Sequence, residues 1–375
     1  MRIAIVTESF LPNINGVTNS VLRLLEFCDA YGHEAIVIAP ESGKPISEYM
    51  GFQVKRTPSL NFKRLIPIGF PNFSIRHYLE GFQPDVIHLA SPTFLGSYLN
   101  NVAQQLKIPT ISIYQTDLGG FARHYGLSIG SELLQNRLAR IHSNTNRTLV
   151  PSTWAKEELE KRGTRNVHVL PRGVDLIRFH PNKRDASLRN SWSDDGRKKI
   201  VGYMGRVANE KSIDDLSIFN SDKDIQVVIV GDGPAMKKIR RAIPHAIYTG
   251  MKTGDELAIH LASLDIFVHT GRHETFCQSI QEALASGVPA VAPASGGPVD
   301  LIQPLRNGAL FEPGNRQSLK VTIYGLLEGD LGEYEFSARE SVLGRSWDQI
   351  NRRLYEHYLD VIELEKNMSL RKEVA

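Results

Sequence analysis

Glu274 and Glu282 bracket the start of a predicted helix in the stretch DIFVHTGRHETFCQSIQEALASGVPAVAPASGGPVDL, residues 265–301. Ile280, Ala283 and Leu284 recur at helical spacing, and Gly287 followed by Pro289 ends the helix before the strand PAVA. A helix N-terminus offers unpaired N–H groups and a positive dipole end, which suits a phosphate near Cys277, Gln278 and Ser279. Glu282, further along, lies roughly 7–8 Å from that point, a span close to that from a diphosphate to a ribose. Glu274 stands on the other side of the helix start, where a group carried by the diphosphate would sit. Two Glu residues at this spacing are also common on solvated helix faces, so the pair leaves both readings open until its company is considered.

That company includes a second set of charges. Gly205-Arg206-Val207-Ala208-Asn209-Glu210-Lys211 follows the predicted strand VGYM. Arg206 and Lys211 are fixed cations at a strand's carboxyl end, able to stabilise the charge that grows on a departing diphosphate. The bland alternative is a lysine that merely opens a solvated helix. Asp222-Lys223-Asp224 has the spacing of a metal-holding Asp-x-Asp, but it precedes the strand VVIV rather than following it. It reads as solvated turn chemistry, and no metal is expected.

The elements that must position these groups form two sets. IAIV at 3–6, AIVIA at 35–39, DVIHL at 85–89, TISIY at 110–114, TLVP at 148–151 and VHVL at 167–170 are short apolar strands, with helical stretches between most of them. A polar segment from Lys183 to Lys199 interrupts the pattern. It restarts with IVGYMG at 200–205, VVIVG at 227–231, AIYTG at 246–250, DIFVH and PAVA. Alternating strands and helices imply parallel sheets covered on both faces, in two Rossmann-like α/β domains of residues 1–180 and 181–345. Ligands of such sheets bind beyond the strands' carboxyl ends, so two facing domains would make a cleft.

With 375 residues, 41% of them hydrophobic, the chain is long enough for two cores. A net charge of +3 gives no argument for a nucleic-acid partner. Two cysteines, Cys28 and Cys277, imply neither a disulfide framework nor a zinc site. No apolar run reaches 18 residues, and no signal-peptide pattern precedes the first strand, so a cytoplasmic location is expected.

Three further segments invite a role. The loop from Glu8 to Asn19 follows the first strand, and its Gly16 would let backbone approach a ligand at the start of a helix; a plain strand-to-helix turn explains it equally. Tyr114-Gln115-Thr116-Asp117 stands at another strand's carboxyl end, followed by GGFARHYGL with His124, more often the kind of histidine that is structural. Between Lys44 and Glu80, six Lys or Arg residues face two Glu and interleave with Leu60, Phe62, Leu65, Ile66, Ile68, Phe70 and Phe73. Such a surface suits anionic lipid, and an irregular insertion packed on the sheet accounts for it as well.

The two carboxylates together with Phe276, the SGVPAVAP run and Ser295-Gly296-Gly297-Pro298 resemble the E-x7-E signature of the retaining glycosyltransferases of family 4, which have the GT-B fold. The resemblance covers nearly the whole chain and takes in G-R-x-x-x-E-K and the Gly231-Asp232-Gly233-Pro234 turn. It implies two Rossmann-like domains facing across a deep cleft, with a last helix, residues 346–375, crossing back to the first domain. It implies a donor site of Gly16, Gly205, Arg206, Lys211, Glu274, Phe276, Cys277, Gln278 and Glu282. There Arg206 and Lys211 would hold the diphosphate, Glu274 the sugar hydroxyls and Glu282 the ribose. Gln115, Asp117 and His124 become candidate sugar or acceptor contacts, and no cofactor or metal is expected. The implied mechanism is a front-face displacement without a covalent enzyme nucleophile.

Three positions depart from the family pattern: Asn15 replaces a first glycine, Gln115 a common histidine, and Arg172 a usual asparagine. Gln115 can still hydrogen-bond but cannot act as acid or base. Within the family, the opening RIAIVTESFLPNINGVTNSV, YQTD and GRHETFCQSIQEALASG look most like actinobacterial GDP-mannose-dependent α-mannosyltransferases. Those enzymes glycosylate a lipid acceptor for cell-envelope glycolipid or lipoglycan, which implies a peripheral place at the inner membrane face. A UDP-sugar-dependent transferase making a soluble glycoside, a nucleotide-sugar epimerase and a non-catalytic sensor are the alternatives.

Overall fold

The structure is a computed structural model and describes residues 1–60, 68–70, 73–115, 128–193 and 196–374. The chain forms two compact units, one of Met1–Pro171 with Ile350–Ala375 and one of Arg172–Gln349. These divisions lie at 171 and 349, where the sequence pattern suggests 180 and 345.

The first unit carries strands β1 (Arg2–Thr7), β2 (Glu34–Pro40), β3 (Glu48–Tyr49), β4 (Phe52–Thr57), β5 (Ser59–Leu60), β6 (Ile68–Gly69), β7 (Val86–Ala90), β8 (Thr110–Ile113), β9 (Arg147–Val150) and β10 (Val167–Val169). Its helices are α1 (Gly16–Ala30), α2 (Phe73–Phe82), α3 (Phe94–Leu106), α4 (Ser128–Ser143) and α5 (Thr153–Glu160). Eight strands form one sheet in the order β10-β9-β8-β7-β1-β2-β4-β3, parallel except for β3 against β4. The apolar runs follow from burial on both faces. Successive residues go to opposite cores: Ile3, Ile5, Val37 and Ala39 pack with Leu24 and Leu25, whereas Ala4, Val6, Ile36 and Ile38 pack with Leu79, Leu89 and Leu99.

Within the segment 44–80, residues 48–57 are built into the sheet. β4 pairs in parallel with β2 and buries Val54, while Arg56 donates to the carbonyls of Leu11, Pro40 and Ile46. Arg56 is therefore an internal clamp rather than a surface cation. Phe62, Leu65 and Ile66 lie outside the described residues.

The second unit contains β11 (Lys199–Met204), β12 (Ile225–Val230), β13 (Ile247–Gly250), β14 (Ile266–Val268), β15 (Ala290–Pro293) and β16 (Gly308–Phe311). Its helices are α6 (Ala186–Trp192), α7 (Met236–Ala242), α8 (Gly254–Ala262), α9 (Gln278–Ala285), α10 (Arg316–Leu327) and α11 (Leu331–Glu340). The sheet is parallel throughout, in the order β13-β12-β11-β14-β15-β16. That is the order of a doubly wound nucleotide-binding sheet, which reverses between β11 and β14. The polar segment after Lys183 holds α6, capped by Asp185 and anchored by buried Trp192. Arg184 and Arg189 both clasp Asp265 just before β14.

The last helix, α12 (Trp347–Val374), belongs mostly to the first unit. Leu354, Tyr358 and Val361, spaced along one helix face, enter the core with Ile5 and Leu25. The Tyr358 hydroxyl meets His88 Nδ1 at 2.7 Å, and Asn351 donates to the Arg23 carbonyl at 2.9 Å.

Candidate active site

The reversal between β11 and β14 is where a doubly wound sheet leaves room for a ligand, and the two predicted charge sets emerge there. After β11 the chain runs through Gly205 and Arg206 to a short 3-10 turn, Asn209–Lys211. The Tyr203 hydroxyl donates to the Arg206 carbonyl at 3.0 Å, and Thr270, just past β14, donates to the Lys211 carbonyl at 2.7 Å. The Glu274 loop is held from its other side by Ser295, whose hydroxyl donates to the Arg272 carbonyl at 3.1 Å, and by Gly297 N–H, which donates to the Glu274 carbonyl at 2.7 Å. Gly296, at φ +68°, makes this contact possible: a Cβ there would stand 2.6 Å from the Glu274 carbonyl oxygen. The SGGP run thus shapes the loop that presents Glu274.

The side chains complete the cluster. Lys211 Nζ and Glu274 Oε1 form an ion pair, and His269 Nε2 lies 3.3 Å from the same oxygen. About a fifth of each of the Lys211 and Glu274 side chains reaches solvent. Burial pushes the Glu274 carboxyl up, but His269 and Lys211 outweigh it and hold the pKa at about 2. Arg206 pairs with Glu210 four residues on, and nearly half of its side chain is exposed. Both cations expected on a diphosphate therefore stand in carboxylate pairs in this state.

Cys277 caps α9 in the left-handed region, φ +78° and ψ +79°, and makes no side-chain cap to the helix N–H groups. Phe276 turns into the core among Ile280 and Leu284. Gln278 donates to the Gly173 carbonyl at 3.0 Å and Gln281 to that of Arg172 at 2.8 Å, so α9 holds the first residues of the second unit. Glu282 is partly buried on the same helix. Burial raises its carboxyl to about 7 against the opposing pull of Arg172 and Gln278. Arg172, which departs from the family pattern, is thus a counter-charge to Glu282, a relation that the sequence spacing gave no hint of. His269 is the other residue the sequence left unassigned, read only as the end of an apolar strand.

In the first unit, α1 begins at Gly16 with Asn15 as its cap. Asn15 Oδ1 accepts from the N–H groups of Val17 and Thr18 at 3.0 Å each, and its amide donates to Ser9 Oγ at 2.7 Å. The asparagine in the glycine's place therefore occupies two helix donors. Ser20 Oγ lies 3.1 Å from the Gly16 carbonyl and 3.3 Å from Gln115 Oε1, which brings those two positions near each other. Glu8 is buried and accepts from Thr93 and Gly96 N–H at the start of α3, at 2.8 and 3.1 Å; burial raises its pKa. Asp117 and His124 lie outside the described residues.

Two concavities are lined by none of the charged cluster's residues. One, of about 10 Å³, touches Tyr114 and Trp154; the other, of about 670 Å³, is lined by Leu176, Ile177, His180, Asn182, Lys183 and Arg339. Arg339 donates to the Leu176, Phe179 and Ala285 carbonyls, so its role there is to tie segments together. Among the described residues no group of three His, Cys, Asp or Glu side chains is gathered as a metal would need. Asp222 is less solvated than its turn suggests: it accepts from the Tyr324 hydroxyl at 2.6 Å, with Lys320 at 3.8 Å.

The description Glycosyltransferase Family 4 matches residues 14–178, and Glycosyl transferases group 1 matches residues 185–340. A GDP-mannose-dependent alpha-mannosyltransferase of Corynebacterium glutamicum is 45% identical over 99% of this chain and 91% of that protein. A GDP-mannose-dependent alpha-(1-6)-phosphatidylinositol dimannoside mannosyltransferase of Mycobacterium tuberculosis is 28% identical over 80% of this chain and 82% of that protein. In fold, the chain is similar to Anabaena Alr3699/HepE in complex with UDP, with a TM-score of 0.78 at 18% identity, covering 96% of this chain and 100% of that one. The chain belongs to glycosyltransferase family 4, an enzyme of GT-B fold whose kin over nearly the whole length are GDP-mannose-dependent alpha-mannosyltransferases.

Proposed function

We propose that the enzyme transfers mannose from GDP-mannose to a glycolipid acceptor with retention of anomeric configuration. The observation that carries this reading is the Lys211–Glu274 pair at the β11/β14 reversal, in a chain 45% identical to a protein named for that donor. On donor binding, Lys211 and Arg206 exchange their carboxylate partners for the diphosphate. Glu274 then takes hydroxyls of the sugar and Glu282 those of the ribose. The bond from the anomeric carbon to the phosphate oxygen breaks as the acceptor oxygen bonds to the same face. The leaving phosphate oxygen accepts the acceptor's proton. Two fixed cations neutralise the developing charge, so the step runs without a metal.

The acceptor side is read from the 44–80 region, where Leu60, Phe70 and Tyr78 are exposed and Lys55 lies 4.0 Å from the Tyr78 ring. Apolar and basic groups together suit an anionic lipid surface. No helix among the described residues is long and apolar enough to cross a membrane.

The test is thermal unfolding with GDP, UDP or ADP in the presence of EDTA. A ligand at 100 times its Kd adds about 2.7 kcal/mol. A shift with GDP alone supports the reading, a shift with UDP alone moves the donor to a UDP-sugar, and no shift removes the nucleotide-sugar site. Release of GDP from GDP-mannose on adding a glycolipid extract, and co-sedimentation with anionic vesicles at low salt, test the acceptor.

A further inference from the structure

Glu274 Oε1 is met by two basic groups, Lys211 from the segment after β11 and His269 from the end of β14. His269 is 2% exposed, and its ring stands against the Glu274 carboxylate, Nε2 3.3 Å from Oε1, without well-aligned hydrogen-bond geometry. A buried imidazole so placed needs a compensating interaction, and the carboxylate beside it supplies one. Gly271 admits the arrangement: a Cβ there would stand 2.9 Å from His269 Nε2 and 3.4 Å from Glu274 Oε1.

Resting on the donor-site reading above, we propose that His269 is a positioning residue that keeps Glu274 ionised and in place while Lys211 turns to the donor diphosphate. One ammonium group cannot neutralise both Glu274 and an arriving diphosphate. When the pair opens, a mostly buried carboxylate left alone would take up a proton or swing away. An imidazolium beside it prevents both and leaves an anionic acceptor for the sugar hydroxyls. The groups facing the ring are Glu274 and Cys277 on its own loop and Tyr203 on β11, stacked at 6.4 Å between centroids; Lys211 pairs with the same carboxylate, with Glu210 and Arg206 beyond. Burial opposes charge on the ring, but Cys277 and Glu274 outweigh it and hold the pKa at about 9. That direction favours an imidazolium beside Glu274.

Two measurements test this. The first is a cycle of His269→Gln, Glu274→Gln and the double variant in thermal unfolding of ligand-free protein, at about pH 7 and about pH 10. Coupling at the lower pH that fades at the higher is expected; additive effects at both overturn the pairing, whatever the donor proves to be. The second is turnover of GDP-mannose by wild type and His269→Gln. The variant should lower kcat by about ten- to a hundredfold, lose the fall in kcat above about pH 9 and keep the wild-type unfolding shift with GDP, which carries no sugar. A folded variant with wild-type kcat and pH profile, or one that loses GDP binding, overturns the proposal. A wild type that GDP does not stabilise defeats the donor reading itself, and the ligand-free cycle still decides whether His269 and Glu274 are coupled.

Discussion

Lys211 and Glu274, 63 positions apart, form an ion pair where β11 and β14 deliver their ends. The pair holds both side chains ready in the state without donor, and together with His269 it keeps Glu274 charged in a mostly buried place. Lys211→Ala leaves the carboxylate with His269 alone. It should cost roughly 2 kcal/mol, less than the ~3–5 kcal/mol of a fully buried pair, because a fifth of each side chain is in water. The fold should survive in both Lys211→Ala and Glu274→Ala while transfer is lost. Cooperative unfolding beside near-normal turnover in either variant would remove the central assignment.

Glu282 gives a stability prediction of opposite sign to Glu274. Its folded pKa is raised from 4.5 to about 7, so the folded state binds the proton more tightly than the unfolded one. The stability this group contributes is full below about 4.5 and is lost as pH rises through about 7. Glu282→Gln should match wild type near pH 4 and be more stable at pH 8, by at most roughly 3 kcal/mol at ~1.4 kcal/mol per pKa unit. Melting curves across that range decide it. For Glu274, held at about 2, the gap to Glu274→Gln should instead shrink as pH falls below about 4.5. A Glu282→Gln variant less stable at pH 8 than at pH 4, relative to wild type, would contradict the buried setting.

Most of the sheets could be read from the chain because parallel strands are buried on both faces and so appear as unbroken apolar runs, as in IAIV and VVIV. β4, FQVKRT, lies toward the sheet edge with only Val54 and Thr57 fully buried, so its sequence alternates with charge and resembles a surface segment. The short β16, GALF, gave too little pattern to register. In the candidate site, residue types, strand ends and the family resemblance singled out Arg206, Lys211, Glu274 and Glu282, and the structure pairs Lys211 with Glu274. What stayed hidden were relations made by loop return: His269 meets Glu274 because the chain doubles back within five residues, and Arg172 acts on Glu282 because α9 holds its carbonyl.

Asn15 shows how a departure from a family pattern can take on another task. Its side chain accepts from two N–H groups of α1 and donates to Ser9, so Asn15→Ala removes the cap and should cost about 1 kcal/mol. Asn15→Gly, the residue the family pattern favours, should cost only a few tenths. Chemical denaturation of both variants separates them, and equal losses would mean that the Ser9 contact rather than the cap carries the effect.

Gly296 tests whether the SGGP run acts through Glu274. An alanine there places Cβ 2.6 Å from the Glu274 carbonyl oxygen on backbone at φ +68°, and neither partner is a flexible side chain that can give way. Relief requires the Glu274 loop to move, which should cost roughly 1–3 kcal/mol and displace the carboxylate from Lys211. Transfer should fall by about a hundredfold, as expected of a shift near 1 Å at a reacting site. Gly325 in α10 is the control: a Cβ there meets nothing within 4 Å, and the helix interior gains about 0.5–1 kcal/mol from alanine. If Gly296→Ala melts like Gly325→Ala and keeps full turnover, the run is a passive turn and Glu274 is positioned by Lys211 and His269 alone.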